Sequence, residues 1–192
     1  MSQICFCAAT IQSANLIRNG GFEKPVVGDG SFLLFNVNSS FTGWSVVGST
    51  GNIGLVSTHF IEGGYTFPAR SGLQWVDLTG NTNTSAGVQQ TVATTPGQKY
   101  LLRFFVGNTY DASGHYGTTS TVNVLVNGVQ IRSATNSHGA GTTTLAWQGF
   151  SVTFTAPTSM TTIAFLNGDP STDNCNGLDA ITLAPAAEML AE

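Results

Sequence analysis

The residues best equipped for chemistry are aromatic and acidic side chains in a Gly-bearing loop, Tyr110-Asp111-Ala112-Ser113-Gly114-His115-Tyr116. Two Tyr and a His flank an Asp there. That is the equipment for holding a sugar: a flat apolar ring covers its C–H face, while carboxylates and amides fix its hydroxyls. Tyr65 and Phe67 add rings in another polar loop, so Tyr65, Tyr110, Asp111, His115 and Tyr116 form the predicted ligand-binding set. Signs of catalysis are absent: no zinc-protease His-Glu spacing, Gly-x-Ser-x-Gly elbow, phosphate-cradling Gly-rich loop with Lys, or dinucleotide fingerprint occurs. His59, His115 and His138 sit in separate polar stretches. Glu62 with Asp111 is the one carboxylate pair that could be imagined for glycoside hydrolysis, whose mechanism requires a defined separation between the two groups. Asp169 and Asp173, in Asn167-Gly168-Asp169-Pro170-Ser171-Thr172-Asp173-Asn174, match a calcium loop in composition only, because the EF-hand spacing and its terminal Glu are missing. This segment reads as a turn.

The elements that must position these loops are strands. From Asn15 onward, short alternating or β-branched runs are bounded by Gly, Asn, Pro and Thr. Strands are predicted at Leu16–Arg18, Trp44–Val47, Ile53–Val56, Leu73–Leu78, Val88–Ala93, Tyr100–Val106, Thr121–Val126, Val129–Arg132, Gln148–Thr155, Thr162–Leu166 and Ala180–Leu183. Tyr100, Leu102, Phe104 and Val106, then Val122, Val124 and Val126, then Phe150, Val152 and Phe154 each mark one apolar face of a strand. Asn127-Gly128 signals a tight hairpin, since both residues tolerate positive φ, and Pro96-Gly97 signals a turn ahead of Tyr100. Trp44, Trp75 and Trp147 lie in or beside strands and read as packing residues. Hairpins without helical crossovers imply an all-β, two-sheet jelly-roll β-sandwich, in one domain over residues 15–184.

Composition narrows the partners. Only 8% of the 192 residues are charged, against roughly 25% in ordinary soluble proteins, and the net charge is −4. Six scattered basic residues offer no footprint for nucleic acid and little for anionic lipid. No apolar run reaches the roughly 20 residues that span a bilayer. Cys5, Cys7 and Cys175 give no even disulfide framework. Residues 4–14 are apolar and small and end in Ser13-Ala14, which suits a secretory signal. The segment 1–14 therefore reads as signal-like or, alternatively, as a strand donor to a neighbouring copy, and 185–192 as a tail.

The order of several short motifs carries a resemblance. Asn15-Leu16-Ile17-Arg18-Asn19-Gly20-Gly21-Phe22-Glu23 resembles the opening strand of galactose-binding-like modules, including carbohydrate-binding modules of xylanases and glucanases. Gly43-Trp44, Gly72 to Leu78, Val88 to Thr91, Pro96 to Tyr100 and Asn176-Gly177-Leu178-Asp179-Ala180-Ile181-Thr182-Leu183 extend it. Together they resemble the plant and bacterial cell-wall family known as domain of unknown function 642, over roughly Asn15 to Leu183, and bacterial surface proteins with C-terminal sorting signals. Plant members usually carry two such domains, and no sorting helix with a basic tail follows Ala184. The resemblance implies a galactose-binding-like jelly roll, residence outside the cell or on its surface, and association with wall polysaccharide without catalysis. It also implies a structural calcium where the first and last strands meet, with Glu23 and Asp179 as ligands. Calcium suits such a place, because it takes six to eight oxygens and accepts carbonyls beside carboxylates. Two functions follow as expectations: a non-catalytic module that binds a polysaccharide or other glycan, or a self-associating subunit of an extracellular filament or sheath.

Overall fold

The computed structural model describes residues 14–112 and 114–186, and no helix occurs among them. The leader-like or strand-donating residues 1–13, with Cys5 and Cys7, and the tail residues 187–192 lie outside the described residues.

Two six-stranded antiparallel sheets face each other as a jelly-roll β-sandwich. In spatial order the first holds β1 (Phe32–Asn36), β4 (Asn52–Ser57), β7 (Gln74–Asp77), β14 (Gly177–Pro185), β9 (Lys99–Asn108) and β12 (Ala146–Thr155). The second holds β11 (Val129–Asn136), β10 (Ser120–Val126), β13 (Met160–Asn167), β8 (Gly87–Ala93), β3 (Trp44–Val47) and β2 (Ser40–Phe41). A small hairpin, β5 (Ile61–Glu62) and β6 (Tyr65–Thr66), stands apart.

The alternating side chains do what their spacing demands. Tyr100, Leu102, Phe104 and Val106 of β9 and Val122, Val124 and Val126 of β10 are buried in the core between the sheets, with Ile53, Leu55, Val76 and Leu78. Phe154 is buried there too, while Phe150 and Val152 pack at its margin. Asn127 and Gly128 take φ of 48° and 81° and join Val126 to Val129, the mirror-image turn that matches strand twist. Gly97 has φ 81° after Pro96, and Gln98 N donates to Thr95 O at 3.1 Å, closing the predicted turn.

One predicted strand is replaced. Residues 16–18 run beside β14, with Leu16 N donating to Leu183 O at 2.8 Å, yet form no regular strand. Side-chain amides substitute for a peptide ladder. Asn15 Oδ1 accepts from Leu183 N at 2.8 Å, and the Gln90 side chain both accepts from Arg18 N and donates to Arg18 O. The opening and closing segments are thus joined, by mixed backbone and side-chain bonds. Four strands were not predicted: β1, β2, β5 and β6.

Candidate functional site

The outer face of the first sheet, turned away from the core, carries the site. Reading the register across all six strands gives one row: Leu34, Gly54, Asp77, Gly177, Gly107 and Trp147. Glycine occupies the row on both sides of Asp77. An added Cβ on Gly177 would meet Gly107 Cα at 2.9 Å and the Trp147 ring at 3.0 Å, so glycine at both positions lets the indole lie down on the sheet. At Gly54 the same atom would have only ordinary contacts, 3.6 Å from Val56, 3.7 Å from Asp77 and 4.0 Å from Leu34. Its missing side chain leaves the face open at that point.

The opening is a cleft of about 290 Å³. Phe32 and Leu34, alternate residues of the edge strand β1, form one wall with Val56 and Phe60. Phe32 and Phe60 meet edge to face, their centroids 5.6 Å apart. Polar groups supply the rest of the lining: Asp77, Glu62, Asn81, His115 and Asn174. Asp77 Oδ1 accepts from Thr79 N, Thr79 Oγ1 and Asn176 N at 2.7–3.1 Å, whereas Oδ2 has no hydrogen-bond partner among the described residues. Burial pushes the Asp77 carboxyl up from 3.8 to about 6, against those hydrogen bonds and helped by the charge of Glu62. Asn81 Oδ1 is used by Asn52 Nδ2 at 2.6 Å. His115 is exposed, and its carbonyl accepts from both Asn174 N and Asn174 Nδ2, at 3.1 and 2.8 Å.

A second aromatic cluster supports this face. Val56, Phe67, Trp75, Tyr116, Leu145 and Cys175 are buried together, with Phe60, Tyr65 and Trp147 packed against them. Trp75 and Trp147 donate to the carbonyls of Phe67 and Pro68, which ties the loop after β6 down to the sheet. Trp44 lies instead in the main core. The Cys175 thiol is fully enclosed, and burial pushes it well above its ordinary value.

The structure divides the predicted ligand set. His115 lines the cleft, while Tyr65, Tyr110 and Asp111 line a separate open depression with Thr142 and Thr143. Tyr116 packs between the two groups, only 3% exposed, in ring contact with Tyr65 at 5.0 Å and His115 at 4.5 Å. Its hydroxyl donates to Glu62 Oε2 at 3.3 Å, and burial with the Glu62 charge pushes the phenol well up. Glu62 and Asp111, paired on sequence, therefore belong to different depressions. Phe32, Leu34, Phe60, Asp77, Asn81 and Asn174 were missed. The available signal was Asp77 in Gln74-Trp75-Val76-Asp77, an acid sharing the face of a Trp within a strand.

Glu23 and Asp179 come together at the junction of the opening and closing segments. An added Cβ on Gly21 would lie 3.9 Å from Asp179 Oδ1 and 4.0 Å from Glu23 Cγ, so both acids flank the same backbone. Asp179 is fully buried at an irregularity of β14, where Ala180 has φ 52°. Its Oδ2 accepts from Arg70 N and Ser71 N at 2.9 and 3.0 Å, and Oδ1 accepts from Ala180 N. Glu23 accepts from Leu73 N at 3.0 Å and Gln74 N at 3.3 Å. Burial, with the charge of Glu23, pushes Asp179 up to about 7 despite those amides. Asp179 and Glu23 are the two charged oxygen donors at this junction, and no third His, Cys, Asp or Glu joins them among the described residues, so a hard divalent ion held there would draw its other ligands from carbonyls. Asp169 and Asp173 form the expected turn, with Asp173 N donating to Pro170 O at 3.1 Å.

The sandwich has solved counterparts. A cyclase from Fischerella sp. TAU is similar at 20% identity with a TM-score of 0.60, over 92% of this chain and 100% of that one. A family 35 carbohydrate binding module from Clostridium thermocellum is similar at 17% identity with a TM-score of 0.51, over 81% and 99%. At these identities the likeness is one of fold. No curated protein matches the chain. The match that extends along the sequence is to a family described as "Protein of unknown function (DUF642)", over residues 15–184. The chain belongs to the DUF642 family.

Proposed function

We propose that the protein is a non-catalytic carbohydrate-binding module that works outside the cell or at its surface, and that its ligand site is the cleft over Gly54. The observation that carries this reading is the composition of that cleft. An aromatic and aliphatic wall of Phe32, Leu34 and Phe60 faces hydrogen-bonding groups on Asp77, Glu62 and Asn81, the division of labour a sugar ring requires. The sandwich shared with a family 35 carbohydrate binding module supports it, as does the apolar, signal-like stretch before Asn15. The test is a glycan array followed by calorimetry on wild type and Gly54→Val, with reducing ends assayed in the same samples. Binding lost in the variant, without release of reducing ends, is the expected result; hydrolysis would contradict the non-catalytic part.

A structural calcium between Glu23 and Asp179 belongs to the same proposal. Bound there, the ion would offset the charges of two carboxylates that flank the same backbone and accept only from amides, and would hold the first segment to the last strand. Chelation is expected to lower the melting temperature of wild type and to have little effect on Glu23→Ala, because an ion bound only by the folded state stabilises it. An unchanged melting curve after chelation of wild type would contradict the ion.

A further inference from the structure

Resting on the glycan reading above, we propose that the cleft takes a protonated amino sugar, a glucosaminyl-type residue of a deacetylated glycan, with Asp77 and Glu62 as its counter-charges. Charge complementarity carries the argument. The lining holds two carboxylates and no Lys or Arg. Two of the chain's few guanidinium groups are occupied elsewhere, Arg70 over the Phe105 ring at 4.3 Å and Arg132 over Phe150 at 5.4 Å. The remaining titratable group at the cleft is His115, exposed at its rim.

A neutral sugar would cover Asp77 and remove water from its unpartnered Oδ2 without returning a charge, which is costly for a carboxylate. An ammonium returns that charge and supplies three donors, one for each carboxylate and one for Asn81 or water. The Phe32 and Phe60 rings suit the same ligand, since their faces attract a cation and cover C–H groups. A uronic acid or sulfated sugar meets like charge here and is disfavoured. At about 290 Å³ the cleft lies at the small end of ligand pockets, which suits one sugar residue rather than a stretch of chain.

Calorimetry near neutral pH with three tetrasaccharides tests this: fully deacetylated chitosan, its N-acetylated counterpart and a galacturonan. Wild type is expected to bind the deacetylated form at least about tenfold more tightly than the N-acetylated one, and the galacturonan least. Asp77→Asn, which keeps an oxygen for Thr79 and Asn176, is expected to erase the preference. Glu62→Gln, at an exposed position, should reduce it without threatening the fold. Equal or tighter binding of the N-acetylated form overturns the inference while leaving the glycan reading intact. Preference for the amine that survives Gly54→Val overturns it too, as attraction to an acidic surface. Absence of binding to all three and to a wider neutral panel overturns the glycan reading itself.

Discussion

Three carboxyl groups set the pH response at the level of single residues. Asp169 is pushed from 3.8 to about 8 by burial, then by the charges of Asp173 and Asp77, and its Oδ2 is buried without a hydrogen-bond partner. Asp179 and Asp77 are pushed up to about 7 and about 6. Each folded value lies above the unfolded one, so the folded chain binds more protons and stability falls as pH rises. The loss begins near pH 4 and is complete for Asp169 near pH 8. Denaturant titrations in chelator should therefore give greater stability at mildly acidic than at mildly alkaline pH. Asp169→Asn, which carries no charge to bury, should flatten that difference by a few kcal/mol, at about 1.4 kcal/mol per pKa unit. A flat wild-type profile would contradict the burial of these groups. None of this was legible in the sequence, where Asp169 sits in a polar stretch that reads as an ordinary turn.

At the scale of elements, alternating side chains mark strands most plainly in the sequence. Asn127-Gly128 and the faces of β9 and β10 followed from spacing alone. Strand β1, Phe32-Leu33-Leu34-Phe35-Asn36, escaped because it is an edge strand with both faces apolar, and Phe32, Leu33 and Leu34 are each at least 40% exposed. Residues 16–18 have the sequence of a strand, but the ladder that holds them is made by the Asn15 and Gln90 side chains, which no periodicity reveals. The packing of Trp147 gives this scale its own expectation. An added Cβ on Gly107 would lie 3.0 Å from Leu145 and from the indole, so Gly107→Val should lower stability by about 1–3 kcal/mol in urea denaturation. Gly54→Val, whose neighbours stand farther off, should leave the melting temperature nearly unchanged.

For the whole molecule, the sandwich was legible because many short amphipathic runs with tight turns admit few other architectures. The cleft was not, because it is assembled from a row that crosses strands distant in sequence. Leu34, Gly54 and Asp77 become neighbours only once β1, β4 and β7 are in register. Of the predicted ligand set, His115 lies at the rim, Tyr65, Tyr110 and Asp111 lie in the adjoining depression, and Tyr116 packs between them. The central claim is that the cleft over Gly54 is a sugar-binding site, and calorimetric comparison of wild type with Gly54→Val on one glycan selected from an array tests it most directly. The account expects affinity to fall at least about tenfold while the melting temperature holds, and equal affinity in the two proteins would contradict it.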